Sequence, residues 1–231
     1  MSKKTNDKAG ARVENVEHAL TKAEQFIENY QKQIIQVIGV LLGIVLLYMG
    51  FQKFYVDRKS TEAAAQMFPA EQYFEDESWE QALNGDNNNL GFNDIISDYR
   101  FTPSANLAKY YAGMCYLQMG EYDQAISMLG KFKSKDIILS SLALGGIGDA
   151  YAESGDFAKA VQFYKKAAKY KNDDFTAPLY LLRAGILLEK EGKYQEAGEI
   201  YKNIKAEYAN TTEGRTIDKY IERAKAKQVG N

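Results

Sequence analysis

One set of residues occurs three times in this chain, in the same order and register. Ala112-Gly113-x-x-Tyr116 is followed by Gly120, Tyr122, Ala125 and Leu129. The set returns as Ile147-Gly148-x-x-Tyr151 with Gly155, Phe157, Ala160 and Tyr164, and again as Ala184-Gly185-x-x-Leu188 with Gly192, Tyr194, Ala197 and Tyr201. A unit of this length cannot bury its own apolar face, so successive units must stack. The positions carry separate physical roles. Gly113, Gly148 and Gly185 have no side chain where two helices of a unit would cross, and Ala125, Ala160 and Ala197 keep the second helix slim at the same crossing. Gly120, Gly155 and Gly192 stand in Met-Gly-Glu-Tyr, Ser-Gly-Asp-Phe and Glu-Gly-Lys-Tyr, where a positive φ ends the first helix at little steric cost.

The small residue, aromatic, turn glycine, alanine, aromatic order resembles the tetratricopeptide repeat (TPR), whose period is about 34 residues. The chain departs from that pattern in two ways. The expected tryptophan is replaced by Lys109, Leu144 and Leu181, and no proline closes the second helix of a copy. A degenerate unit is expected ahead of these, from about Thr61 to Tyr99, with Tyr73, Phe74, Trp79 and Ala82 in TPR-like order. The polar run Asn84-Gly-Asp-Asn-Asn-Asn89 then forms a loop, and Phe92, Ile95, Ile96 and Tyr99 a short helix. At the far end, Ile217, Tyr220, Ile221 and Ala224 share one face of a helix over Thr216–Lys227, which would close the stack. The predicted fold is all-α, a TPR-like solenoid of helical hairpins behind one N-terminal transmembrane helix. Its parts are an N-terminal amphipathic or flexible segment over 1–33, a membrane helix over 34–54, a degenerate capping repeat over 55–103, three repeats over 104–212, and a C-terminal capping helix and tail over 213–231.

The membrane helix is read from Ile34 to Phe51, IIQVIGVLLGIVLLYMGF, which carries Gln36 as its one polar side chain and no charge. At 1.5 Å per residue this approaches the hydrocarbon thickness of a bilayer. The stretch ahead of it is too long for the basic region of a secretory signal, and no small-residue cleavage site follows. Gln36, Gly39, Gly43 and Gly50 fall on one face, and Gly39-x-x-x-Gly43 is a small-residue pattern that lets another helix approach closely, although glycine is frequent in membrane helices generally. Lys22 and Lys32 before the span and Lys53, Arg58 and Lys59 after it do not support an inside N-terminus, while the distant Lys3, Lys4, Lys8 and Arg12 reverse the count. Charge leaves the orientation open. Before the span, Val13, Val16, Leu20, Ala23, Ile27 and Tyr30 recur at helical spacing, and the glutamates Glu14, Glu17, Glu24 and Glu28 lie largely on the other side.

Composition removes several functional classes. With 29 basic against 31 acidic residues there is no net field to wrap nucleic acid. One cysteine, Cys115, allows neither an internal disulfide nor a thiolate zinc site, and the one histidine, His18, precedes the span. No nucleophile elbow, Walker loop or zinc-protease motif occurs. Gly145-Gly146-Ile147-Gly148 resembles a phosphate loop only superficially, lacking a preceding strand and a Lys-Ser/Thr, and reads as a helix crossing. No catalytic residue, metal ligand or cofactor is expected.

What remains is binding. The inner surface of a helical solenoid is lined mainly by the first helix of each unit, which here places Leu107, Tyr110, Met114, Leu117, Leu142, Asp149, Leu179, Leu182, Ile186 and Glu189 along a groove. Apolar side chains with a flexible methionine suit extended or helical peptide segments, though several of these leucines would also pack between repeats.

The order of parts resembles the YfgM-type ancillary subunits of the bacterial Sec translocon. Ala82-Leu-Asn-Gly-Asp, Ala108-Lys-Tyr-Tyr-Ala-Gly-Met-Cys-Tyr and Leu144-Gly-Gly-Ile-Gly-Asp-Ala-Tyr more closely resemble TPR membrane proteins of Bacteroidota. The resemblance implies a single-pass protein of the bacterial inner membrane with a cytoplasmic N-terminus, periplasmic repeats, and SecYEG, a PpiD-type chaperone and exported clients as partners, with no small-molecule substrate. A general envelope scaffold and a docking receptor with cytoplasmic repeats are the alternatives.

Overall fold

A computed structural model describes residues 29–170 and 173–229. Most of the amphipathic segment expected before the span, and His18 with it, lies outside the described residues. The chain divides into two units, one ending at Val56 and the other opening at Asp57, and among the described residues every element in either is helical.

In the first unit, helix α1 is described from residue 29 to 51 and runs into a π-helical turn, Gln52–Val56, where Phe51 and Tyr55 stack with ring centroids 5.1 Å apart. Its large side chains stand open all round: Leu47 is 76% and Val40 62% exposed. A helix apolar on every side has no stable place in water unless something covers it. It is long and apolar enough to cross a membrane.

The second unit is a stack of helix pairs. Helix α2 (Asp57–Glu75), α3 (Trp79–Asn84) and α4 (Phe92–Asp98) form the opening unit and pack on α5 (Pro103–Gln118). The seam is aromatic: Tyr111 stacks on Phe92 at 5.1 Å and meets the edge of Phe74 at 5.0 Å. Between α3 and α4 the polar loop is organised by Asp86, whose carboxylate accepts from the Tyr73 hydroxyl (2.6 Å) and from the amides of Asn88 and Asn89 (both 2.7 Å). The first helix of the degenerate unit starts at Asp57.

Three hairpins follow: α5 with α6 (Tyr122–Lys131), α7 (Ile137–Glu153) with α8 (Phe157–Lys169), and α9 (Thr176–Lys190) with α10 (Tyr194–Glu207). Each turn contains its expected left-handed glycine, with φ +78° at Gly120, +87° at Gly155 and +76° at Gly192. The first two hairpins start on oxygen caps. Thr102 accepts from the amide of Ala105 and Asp136 from that of Leu139, while Pro103 occupies the first turn of α5, where a missing N–H costs nothing. The closing helix expected over Thr216–Lys227 is α12 (Asp218–Val229), and a short helix, α11 (Thr212–Thr216), precedes it. Thr211 caps α11 through the Gly214 amide, and Ile217, fully buried between the two, anchors α12 with Ile221 and Ala224 into the last core cluster.

Candidate protein-binding surface

The hairpins are held together at glycines, each filled by a side chain from a partner helix. A Cβ on Gly113 would fall 2.6 Å from Leu129, one on Gly148 would fall 2.6 Å from the Tyr164 ring, and one on Gly185 would fall 2.3 Å from the Tyr201 ring. These are the crossings within each pair. In the middle hairpin, a Cβ on Gly145 would fall 2.0 Å from the Tyr180 ring of the next first helix, and one on Gly146 would fall 2.9 Å from Leu129 of the preceding pair. The Gly-Gly-Ile-Gly run is therefore a helix backbone contacted by side chains from four helices, α5, α6, α8 and α9.

The joints between repeats differ. The first is apolar at its centre, where Met114 and Leu129 meet over Gly146. The second is ionic: Asp149 on α7 accepts from the Tyr164 hydroxyl at 2.6 Å and pairs with Arg183 on α9. The third repeats that plan one helical turn later, with Glu189 on α9 paired with Arg223 of α12 at 2.7 Å, beside Tyr201. Burial, and then the adjacent carboxylate, raises the phenol pKa of both Tyr164 and Tyr201. Although Glu189 acts on that phenol, the Tyr201 hydroxyl and Glu189 Oε1 do not reach hydrogen-bonding geometry and are buried without a bonded partner among the described residues. In both joints 34 residues separate the acid from its arginine. That equal spacing is visible in the sequence, but only once each acid is known to face the next repeat.

Successive first helices touch, α5 to α7 to α9, while each second helix packs on the first helix of the next pair. The residues expected to line a groove are distributed along these first helices. Leu107, Tyr110 and Met114 are half-buried against the apolar first joint, and Leu142, Leu179 and Leu182 against the last core cluster. Ile186 is 39% exposed. Leu117, Asp149 and Arg183 line one open cavity of about 410 Å³, and Leu179 lines another beside Phe175. The carboxylates of Asp149 and Glu189 are engaged in the joints. On α1, a Cβ on Gly39, Gly43 or Gly50 would meet nothing within 4 Å, and Gln36 is exposed. Among the described residues no three histidine, cysteine or acidic side chains gather as a metal site. Cys115 is fully buried, and burial pushes its thiol up to about 12.

Stacked hairpins with left-handed turn glycines and ring-on-glycine crossings define a tetratricopeptide-repeat solenoid. Family models described as tetratricopeptide repeat match residues 107–136, 143–174 and 180–211, one for each hairpin. Among solved structures, the nearly identical TPR-like repeats of a Podosopora anserina protein described as a kinesin light chain superpose with a TM-score of 0.56 at 13% identity, over 74% of this chain and 89% of the other. A single-substitution form of the same protein gives 0.55 at 13% identity over the same shares. At that identity the likeness concerns the fold alone. No curated protein matches in sequence. The chain carries TPR repeats, which are protein–protein interaction modules and typically non-enzymatic scaffolds.

Proposed function

We propose that this is a membrane-anchored TPR protein whose first-helix face binds polypeptide segments, acting as an accessory subunit of the Sec translocon that passes exported proteins to periplasmic chaperones. The observation that carries the binding reading is the row of half-exposed apolar side chains, Tyr110, Met114, Leu142 and Leu182, on first helices that abut one another. Such a surface offers contact area without a fixed hydrogen-bonding code, which suits clients of varied sequence. The apolar helix α1 supports a single-pass anchor. The resemblance to YfgM-type subunits is what implies SecYEG and a PpiD-type chaperone as partners, an N-terminus in the cytoplasm and repeats in the periplasm. Among the described residues no set suggests chemistry on a substrate, and no cofactor is part of this reading.

A photo-crosslinking residue at Met114 or Leu142 of the full chain, in membranes from cells exporting a marked protein, tests this reading. Adducts with the exported chain and with translocon subunits are expected. Adducts confined to one unrelated envelope protein would replace it with a fixed scaffold. Labelling Asn88→Cys with a membrane-impermeant thiol reagent, before and after permeabilising the inner membrane, reports the side of the repeats; labelling only afterwards would make the protein a cytoplasmic docking receptor.

A further inference from the structure

The repeat unit has two edges, and they are chemically unlike. One is formed where the first helices begin. Asn106 near the start of α5 holds the backbone of Lys133 through bonds of 2.6 and 3.1 Å, and the Tyr170 hydroxyl ahead of α9 reaches the Ser134 carbonyl ahead of α7 at 3.5 Å. These bonds align the three helix starts side by side. At that edge Phe101, Ile138 and Phe175 recur at equal steps along the chain and are 53%, 43% and 70% exposed. No core position requires them, and in water three such side chains at one border are unfavourable.

Their neighbours include four cations and as many acids. Arg100 lies 5.0 Å from the Phe101 ring, and Lys133, Lys135 and Lys169 are exposed. Of the acids at this edge, Asp136 and Asp173 are bonded to the amides that open α7 and α9, and Asp98 and Asp174 are exposed. The opposite edge consists of the glycine turns. Those turns expose Met119 as their one large apolar side chain, among Gln118, Glu153, Glu191, Lys190 and Lys193.

The chain enters the repeat unit at the apolar edge. Lys59 stands 5.0 Å over the Tyr99 ring, and the Tyr99 hydroxyl donates to Glu62 at 2.8 Å, two residues before Phe101. Lys59 follows Phe51, the end of the apolar segment, by eight residues. Even fully extended, that length of chain reaches no more than about 30 Å. Apolar tips flanked by lysine and arginine match the headgroup layer of a bilayer, where the rings enter the acyl boundary and the cations meet phosphates.

We propose that the edge bearing Phe101, Ile138 and Phe175 rests on the lipid bilayer surface, so that the repeats lie against the membrane instead of extending from it. This rests on the reading of α1 as a membrane anchor. The test is depth-dependent fluorescence quenching on the full chain, reconstituted in vesicles of mixed neutral and anionic phospholipid that contain a lipid spin-labelled either near the headgroup, for the edge sites, or near the end of the acyl chain, for the site within α1. Fluorophores are attached one at a time at Phe101→Cys, Ile138→Cys, Phe175→Cys, Ser154→Cys on the opposite edge and Leu42→Cys within α1; the buried Cys115 stays unlabelled. Quenching several-fold stronger at 101, 138 and 175 than at 154 is the expected result. If Leu42→Cys is quenched while the three edge sites match Ser154→Cys, the proposal is overturned and the anchor stands. If Leu42→Cys is not quenched, anchor and proposal fall together.

Discussion

The hydroxyl of Tyr164 donates to the carboxylate of Asp149 at 2.6 Å across a hairpin whose crossing is set by Gly148, directly beneath the tyrosine ring. One aromatic side chain thus fixes the spacing of a pair through its ring and orients, through its oxygen, the acid that holds the next repeat by Arg183. The joint is partly wet, with Arg183 43% and Asp149 26% exposed in their side chains, so its contribution is modest.

A double-mutant cycle of Asp149→Asn and Arg183→Met should return a coupling of about 0.5–1 kcal/mol, the range for solvent-screened pairs. Tyr164→Phe should cost about 1 kcal/mol, the net loss of one hydrogen bond. Urea unfolding of the reconstituted chain, followed by circular dichroism, measures both. A coupling near zero would mean that the ring alone carries the joint.

Two glycines inside helices, one crowded and one with space, should respond in opposite directions. Gly145→Ala places a methyl 2.0 Å from the Tyr180 ring and should destabilise by about 1–3 kcal/mol or more through overpacking. Gly198→Ala, whose nearest neighbour would be the Ala224 methyl at 3.9 Å, should stabilise by about 0.5–1 kcal/mol, because alanine loses less backbone freedom on folding. Thermal midpoints of the two variants separate these cases.

Alkaline pH should loosen the stack. Burial, then the Glu62 hydrogen bond, pushes Tyr99 up to about 12, and burial also raises Tyr164, Tyr180 and Tyr201. An unfolded tyrosine ionises near about 10. Stability from these phenols is thus complete below that value and falls as pH rises toward their folded pKa values. A titration of tyrosinate absorbance beside ellipticity should find the two changing together; free ionisation at ordinary pKa without loss of helix would contradict the burial.

The loop at Asp86 should fail at the acid end. Its hydrogen bond from Tyr73, and those from the amides of Asn88 and Asn89, lower its carboxyl to about 2. The loop is therefore fully held above the unfolded value near about 4 and released as pH falls from there toward the folded pKa. Amide chemical shifts of Asn88 and Asn89 should move over that interval in the native chain and be constant in Asp86→Asn.

The repeats were legible because their constraints are local. A turn glycine, a crossing glycine and a slim alanine each act within one hairpin and recur in each copy, so Gly120, Gly148 and Ala160 could be assigned roles before any packing was known. The ionic joints were not legible, since Asp149 and Glu189 occupy non-equivalent positions in their repeats and the arginine shifts with the acid. The short helix α11 was hidden because Thr212–Thr216 carries no apolar residue to give it a period. The edge residues Phe101, Ile138 and Phe175 lay outside the repeat signature altogether, and only the alignment of helix starts brings them together.

The glycines of α7 carry a consequence for how the stack melts. Gly145, Gly146 and Gly148 together cost roughly 3 kcal/mol of intrinsic helical preference relative to alanine, and the contacts that offset it come from Leu129 in the hairpin before, Tyr164 in its own, and Tyr180 in the hairpin after. Withdraw either neighbour and the middle helix loses the support for its own backbone. This solenoid should therefore lose its structure in a single cooperative transition, with its centre as the weakest autonomous element and its ends as its support, unlike an array that frays one module at a time.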